Sequence, residues 1–115
     1  MSKKNGESRD TLRGSLDLLV MRTLQTLGTL HGYAIARRIE QVAGGTAPLS
    51  QGAIYPALMR LERRGWIRTK WGISETKRKV KFYELTRAGA RQLQEEIESR
   101  EQSASMMARF LGVRP

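Results

Sequence analysis

The side chains of this sequence best placed to do chemistry are cations. Lys77, Arg78 and Lys79 stand together between Trp71 and Phe82, and from Arg60 to Arg91 eleven Lys or Arg accompany only three acids. Ammonium and guanidinium groups at that density bind polyanions, through charge-assisted hydrogen bonds and release of counterions. The whole chain of 115 residues has 21 basic and 11 acidic side chains, a formal charge of +10. That surplus speeds encounter with any polyanion. Nucleic acid is the expected partner, although ribosomal surfaces and anionic lipid exert the same attraction. The sign then reverses: Glu95, Glu96, Glu98 and Glu101 stand against Arg100 alone between Gln92 and Glu101. The positive field therefore belongs to the middle of the chain.

Other chemistries have little to work with. There is no cysteine, which removes thiolate nucleophiles, disulfides and Cys-rich metal sites. The single histidine, His31, has no acidic neighbours in its GTLHGY link and is expected to be structural. A phosphate-cradling glycine loop, a nucleophile–base pair and paired catalytic carboxylates are all missing. The expectation is a protein that is not an enzyme and needs neither cofactor nor metal. Apolar runs fall short of the roughly 18 residues of a membrane span, and Met1–Arg13 lacks the apolar core of a secretory signal. A small, soluble, cytoplasmic protein with one core and an appendage is expected.

The cations must be positioned by elements, and the periodicity suggests which. Residues 1–11 read as a flexible basic arm. From Ser15, as a cap, Leu16, Leu19, Val20, Leu24 and Leu27 form a helical stripe that Gly28 stops. A second helix, YAIARRIEQVA, offers Tyr33, Ile35, Ile39 and Val42, and ends at Gly44 and Gly45. A third, from Ser50 to Gly65, puts Ile54, Leu58 and Leu61 on its inner side and Met59, Arg60 and Arg63 opposite; Pro56 is expected to distort its first turn. WIRTKW and VKFYEL then read as two strands joined by GISETKRK, a ribbon with a long basic tip. Thr86 opens a final helix reaching Leu111, about 39 Å at 1.5 Å per residue. Along it Leu93, Ile97, Arg100, Ala104, Met107 and Leu111 recur at spacings of four and three. With Phe110 they form a candidate dimer seam, because exposing them would leave an apolar patch.

Three helices followed by a basic ribbon is the order of a winged helix-turn-helix. The segments LRGSLDLLVMRTLQTLGTLHGYAIARRI, GAIYPALMRLERRGWI and KFYELTRAGARQL resemble the PadR family of bacterial transcriptional regulators, over Leu12 to about Leu93. The resemblance implies a mainly α fold with a small β-ribbon, a winged helix-turn-helix over 12–85. It also implies a dimerisation helix over 86–111, as in the short subfamily with a single C-terminal helix, and leaves a tail over 112–115. It further implies a dimeric repressor, in which the tyrosine matching Tyr55 is associated with DNA contact.

On this reading the third helix enters the major groove of double-stranded DNA. Ser50 and Gln51 stand at its start, and Gln51 can pair with adenine. Tyr55 donates to a phosphate, and Arg60 and Arg63 clamp phosphates or reach bases. Lys77, Arg78 and Lys79 reach the adjacent minor groove or its rim, and Lys70 extends the phosphate track. A two-fold dimer would read an inverted repeat with half-sites about 34 Å apart. A small apolar or aromatic effector between the first and last helices would release it. The rival readings are a protein-binding winged-helix adaptor and a nonspecific nucleic-acid-binding protein; the KRK tip disfavours the first.

Overall fold

The computed structural model describes the backbone of residues 2–43 and 51–112, and side chains within 15–42 and 52–112. Its elements run α1 (Ser2–Leu27), β1 (Leu30–His31), α2 (Gly32–Ala43), α3 (Gln51–Arg63), β2 (Ile67–Ile73), β3 (Lys79–Leu85) and α4 (Arg87–Leu111). The order is that of a winged helix-turn-helix with a long C-terminal helix.

Helix α1 begins thirteen residues before Ser15, which corrects both the arm over 1–11 and the Ser15 cap. The early residues are mainly Lys, Glu, Arg and other polar types without an apolar stripe. Periodicity is blind to such a stretch, whereas the straight-chain charged residues within it propagate a helix well. The inner face of α1 buries Val20, Met21 and Leu24, while Leu19 and Leu27 are exposed. Gly28 ends it in the left-handed region at φ +86°, and its N–H donates to the Leu24 carbonyl at 2.9 Å.

The GTLHG link holds a two-residue strand that the sequence pattern does not reveal. Leu30 pairs with Tyr83 and His31 with Phe82, so β1 joins β3 and the sheet order is β1-β3-β2. His31 does act structurally: its Nδ1 accepts the Ala34 N–H at 3.3 Å over the first turn of α2. Within α2, Ile35, Ala36 and Ile39 are buried, but Tyr33 and Val42 are exposed, against the expectation of an apolar side that included them. The glycine stop at 44–45 and the Ser50 cap lie outside the described residues.

Helix α3 buries Ile54, Ala57, Leu58 and Leu61 and runs through Pro56 as one helix from Gln51. The carbonyl that a Pro56 N–H would have met belongs to Gly52, a small residue near the helix start. With the buried faces of α1 and α2, Ile67 and Tyr83 from the sheet and Leu93 from α4, these residues form a single core.

The two long strands pair antiparallel from Ile67 opposite Leu85 to Ile73 opposite Lys79. They take in more of the chain than the alternation suggests, leaving only Ser74–Arg78 as the turn. Gly72 looks like a breaker, but it sits in the strand because Phe82 fills the space of its side chain: a Cβ there would stand 2.7 Å from the ring. Across the turn the Ser74 N–H donates to the Arg78 carbonyl, and the Lys77 N–H donates to the Ser74 carbonyl, both at 2.9 Å. Lys77 takes the left-handed conformation at φ +61°.

Thr86 caps α4 as the sequence indicates, its Oγ1 accepting the Gly89 N–H at 3.0 Å and donating to the Gly65 carbonyl at 2.7 Å. Gly89 itself rests on the Trp66 carbonyl, which a Cβ would overlap. The base of α4 is thereby fixed to the joint between α3 and β2. Gly112 closes the helix in the left-handed conformation, with its N–H directed to the Ala108 and Arg109 carbonyls.

Candidate nucleic-acid interface

The geometry of the basic surface follows from strand alternation. Ile67 is in the core, and two residues on, the Thr69 hydroxyl reaches Glu62 of α3 at 3.3 Å. Lys81, opposite Trp71 in the register, approaches the same Glu62 at 3.9 Å. The side of the wing bearing Ile67, Thr69 and Trp71 on β2, and Lys79, Lys81 and Tyr83 on β3, is thus turned toward α3. The opposite side bears Arg68 and Lys70 with Phe82 and Glu84. There Arg68 donates to Glu84 at 2.8 Å, and that bond, aided by the nearby positive charge of Lys70, holds the Glu84 carboxyl below the usual range.

The predicted contact residues separate on this frame. Tyr55 is half-exposed at 48%, and its ring packs on the start of α2: a Cβ on Gly32 would stand 3.2 Å from it. The glycine of the HGY sequence is therefore where the tyrosine of the IYPAL sequence rests. Arg63 is exposed at the end of α3. Arg60 departs from expectation. Instead of projecting freely, it makes a two-pronged bond to the Asp17 carboxylate of α1, Nη2 to Oδ1 at 2.7 Å and Nε to Oδ2 at 3.3 Å. Asp17 is nearly buried, so burial of the carboxylate dictates where the guanidinium goes. The side chains of Ser50 and Gln51 lie outside those described; the backbone of Gln51 opens α3.

Lys77 and Arg78 occupy the tip of the wing, but Lys79 has become part of β3 and its ammonium sits 5.4 Å from the centre of the Trp71 ring. Lys70 is exposed on the back of the ribbon, on the opposite side from Lys79 and Lys81. Two exposed aromatics left out of the expected set flank the wing, Trp71 on the side of α3 and Tyr33 on the side of Phe82, where it lines a groove with Val80. Tyr33 is exposed at the start of α2 and its hydroxyl accepts from Arg37 at 3.4 Å. The alternation in WIRTKWGI could have placed Trp71 on the side of Ile67, and the four-residue spacing of Tyr33 and Arg37 in the predicted second helix could have paired those two.

The long helix also divides. Leu93 is fully buried at 0% exposure, which removes it from the expected dimer seam, whereas Ile97 packs on the edge of the same core and stays partly exposed. The domain covers Leu93 because the first half of α4 lies along α1. Arg100, Ala104, Met107, Phe110 and Leu111 are exposed, Phe110 at 86%. Between α1 and α4 there is a cleft of about 80 Å³ lined by Asp17, Leu18, Met21, Arg64, Trp66 and Glu96. For scale, a cavity of about 150 Å³ accommodates benzene. No group of three potential metal ligands occurs among the described residues, and none of the described helices is long and apolar enough to cross a membrane.

Comparison with known proteins agrees with this architecture. Residues 20–95 match the model of the transcriptional regulator PadR-like family. A curated protein of Lysinibacillus sphaericus, itself uncharacterised, is 27% identical over 86 residues, which cover 75% of this chain and 78% of that protein. The structure of a transcriptional regulator from Clostridium thermocellum superposes with a TM-score of 0.75 at 26% identity, over 88% of this chain and 94% of that one. Bacillus subtilis PadR in complex with operator DNA aligns at 29% identity and a TM-score of 0.64, over 72% of this chain and 46% of the longer relative. With the helix order, the wing and the long final helix all in place, this chain belongs to the PadR-like family of transcriptional regulators, proteins that are not enzymes.

Proposed function

We propose that this protein is a dimeric, sequence-specific DNA-binding repressor that occupies an inverted repeat in a promoter. The observation that carries the reading is the link from Glu62 of α3 to Thr69 and Lys81 of the wing. On that side the exposed Tyr55 and Arg63 of α3 stand with Lys79 and Lys81 of the ribbon, while Lys70 lies on the other. A helix start and a cationic tip arranged in that way suit a major groove and its neighbouring minor-groove rim. The solved complex of a family relative with operator DNA supports the same mode of use. Arg63, Lys77 and Arg78 supply phosphate contacts and salt-dependent affinity, while the start of α3 supplies sequence preference. Gln51 and Ser50 remain the proposed base readers. Arg60 acts here through Asp17, holding α3 in place.

A second copy covers the distal half of α4. Met106, Met107, Phe110 and Leu111 form an exposed apolar end, and a two-fold pair is the commonest way to bury such a patch. Two reading helices then meet two half-sites. An apolar or aromatic effector bound beside α4 would release the DNA by changing the angle between the heads. The protein acts in the cytoplasm, where its promoter lies.

Binding to a duplex from the gene's own upstream region, to a random duplex and to RNA separates this function from its competitors. Preferential protection of an inverted repeat is expected at physiological salt. Equal affinity for all three would leave only nonspecific binding, and absence of binding would leave an adaptor. Titrating apolar aromatic compounds into the DNA complex tests release; unchanged affinity with every compound would remove the effector from the account.

A further inference from the structure

The geometry points to Trp71 as a DNA-contacting residue: its indole, with the Lys79 ammonium held over one face, lies against the sugar–phosphate chain of a strand passing between α3 and the wing. This inference rests on the DNA-binding function proposed above and adds to it a contact of a different physical kind.

Three observations carry it. Trp71 is 63% exposed and Ile73, next on the same side of β2, is 67% exposed, so two large apolar side chains stand uncovered on the outer half of this wing face. That half is also the one turned toward α3, since Thr69, two residues before Trp71, and Lys81, directly across from it, both reach Glu62. Finally, the indole is not isolated. Lys79 stands 5.4 Å from its centre, inside the range of cation–π attraction, and Lys81 is its cross-strand partner. The other tryptophan shows the contrast: Trp66 is partly buried against the core, with Arg64 over it at 5.1 Å.

Charge decides what covers this face. Its surroundings are lysines, and the nearby acid of α3, Glu62, is already engaged by Lys81. A second copy pressing the same face here would bring lysines against lysines. A DNA strand instead offers an apolar deoxyribose edge between phosphates, which matches an indole flanked by ammonium groups. Stacking and apolar contact release few counterions, whereas each phosphate contact releases about one. The two kinds of contact therefore separate in their dependence on salt.

The test uses the full chain, a duplex from the gene's upstream region and a random duplex of equal length. Trp71→Ala should weaken binding to both by about tenfold, the scale of a lost aromatic contact to nucleic acid, with the slope of log K against log salt unchanged. Lys79→Gln should reduce that slope by about one. The tryptophan emission of the wild type should change on adding duplex, and most of that change should vanish in Trp71→Phe, a variant that keeps a ring on the strand. Normal salt-dependent binding by the wild type, with unaltered emission and unweakened Trp71→Ala, overturns the assignment and leaves the DNA-binding function standing. Emission that shifts with protein concentration alone also overturns it, by assigning the face to a second copy. Failure of the wild type to bind any duplex overturns both.

Discussion

Lys77 occupies a backbone conformation that glycine would adopt at lower cost, at φ +61° in the turn of the wing. A left-handed lysine costs roughly 1 kcal/mol relative to a right-handed one. Lys77→Gly should therefore raise the stability of the fold by about 0.5–1 kcal/mol, measured by urea unfolding, while lowering affinity for duplex DNA. Opposite signs for the two quantities would mean that the side chain is kept for binding; loss of stability would show that the lysine supports the turn. Tyr83 gives a prediction in pH. Burial, and then the negative charge of Glu62, push its phenol above the ordinary value of 10.0, so the folded state holds this proton more tightly than the unfolded chain does. The resulting stabilisation is complete below the unfolded value and is lost as pH rises through it toward the folded one. Unfolding followed from pH 8 upward should show a fall in stability beginning near pH 10, and the fall should be smaller in Tyr83→Phe.

At the scale of elements, the position of α3 depends on side-chain bonds to its neighbours as well as on its apolar face. The Asp17–Arg60 pair crosses from α1 to α3 with two hydrogen bonds and is largely shielded, at 12% and 27% side-chain exposure. Removing Asp17 leaves a partly buried guanidinium without its acceptor. Asp17→Ala should cost about 1–3 kcal/mol, read by chemical denaturation. The same pairing predicts how the two arginines differ on DNA. Arg60 is already neutralised, so Arg60→Gln should weaken binding through α3 placement with little change in salt slope, whereas Arg63→Gln should reduce the slope by about one. A slope lowered equally in both variants would return Arg60 to the phosphate contacts. The wing is positioned in a comparable way, by Glu62 on one side and by the clamp of Thr86 and Gly89 on the α3–β2 joint on the other.

Across the whole molecule, the division of α4 into a domain-bound half and an uncovered half is what the proposed dimer rests on. The molecule extends 54 Å along its longest axis against 33 and 27 Å across. Replacing Met107 and Leu111 with glutamate should shift the protein toward monomer in light scattering, with the melting of the domain nearly unchanged because both side chains are exposed. The monomer should lose much more affinity for an inverted repeat than for a single half-site, because the second head no longer benefits from being tethered to the first. A full dimer in the doubly substituted protein would place the interface elsewhere. Leu93 gives the contrasting case: truncation to alanine should destabilise the fold itself by about 2–5 kcal/mol.

Much of this was legible without coordinates. Ile54, Leu58 and Leu61, the Thr86 cap, the Gly28 stop and the paired strands follow from local rules, because each depends on residues within a few turns or on a two-residue alternation. Net charge and its concentration between Arg60 and Arg91 are likewise properties of composition. The polar first half of α1 escaped because periodicity detects apolar stripes and not helices. The short strand at Leu30–His31 escaped because its partner is more than fifty residues away. What only the tertiary structure decided was the use of side chains whose chemistry permits several roles. Arg60 could have met phosphate or carboxylate, and a buried Asp17 settled it; Leu93 could have faced a partner or its own core, and α1 settled that. Sequence specifies which groups are available, but burial and distance across the fold determine which of their possible bonds are made.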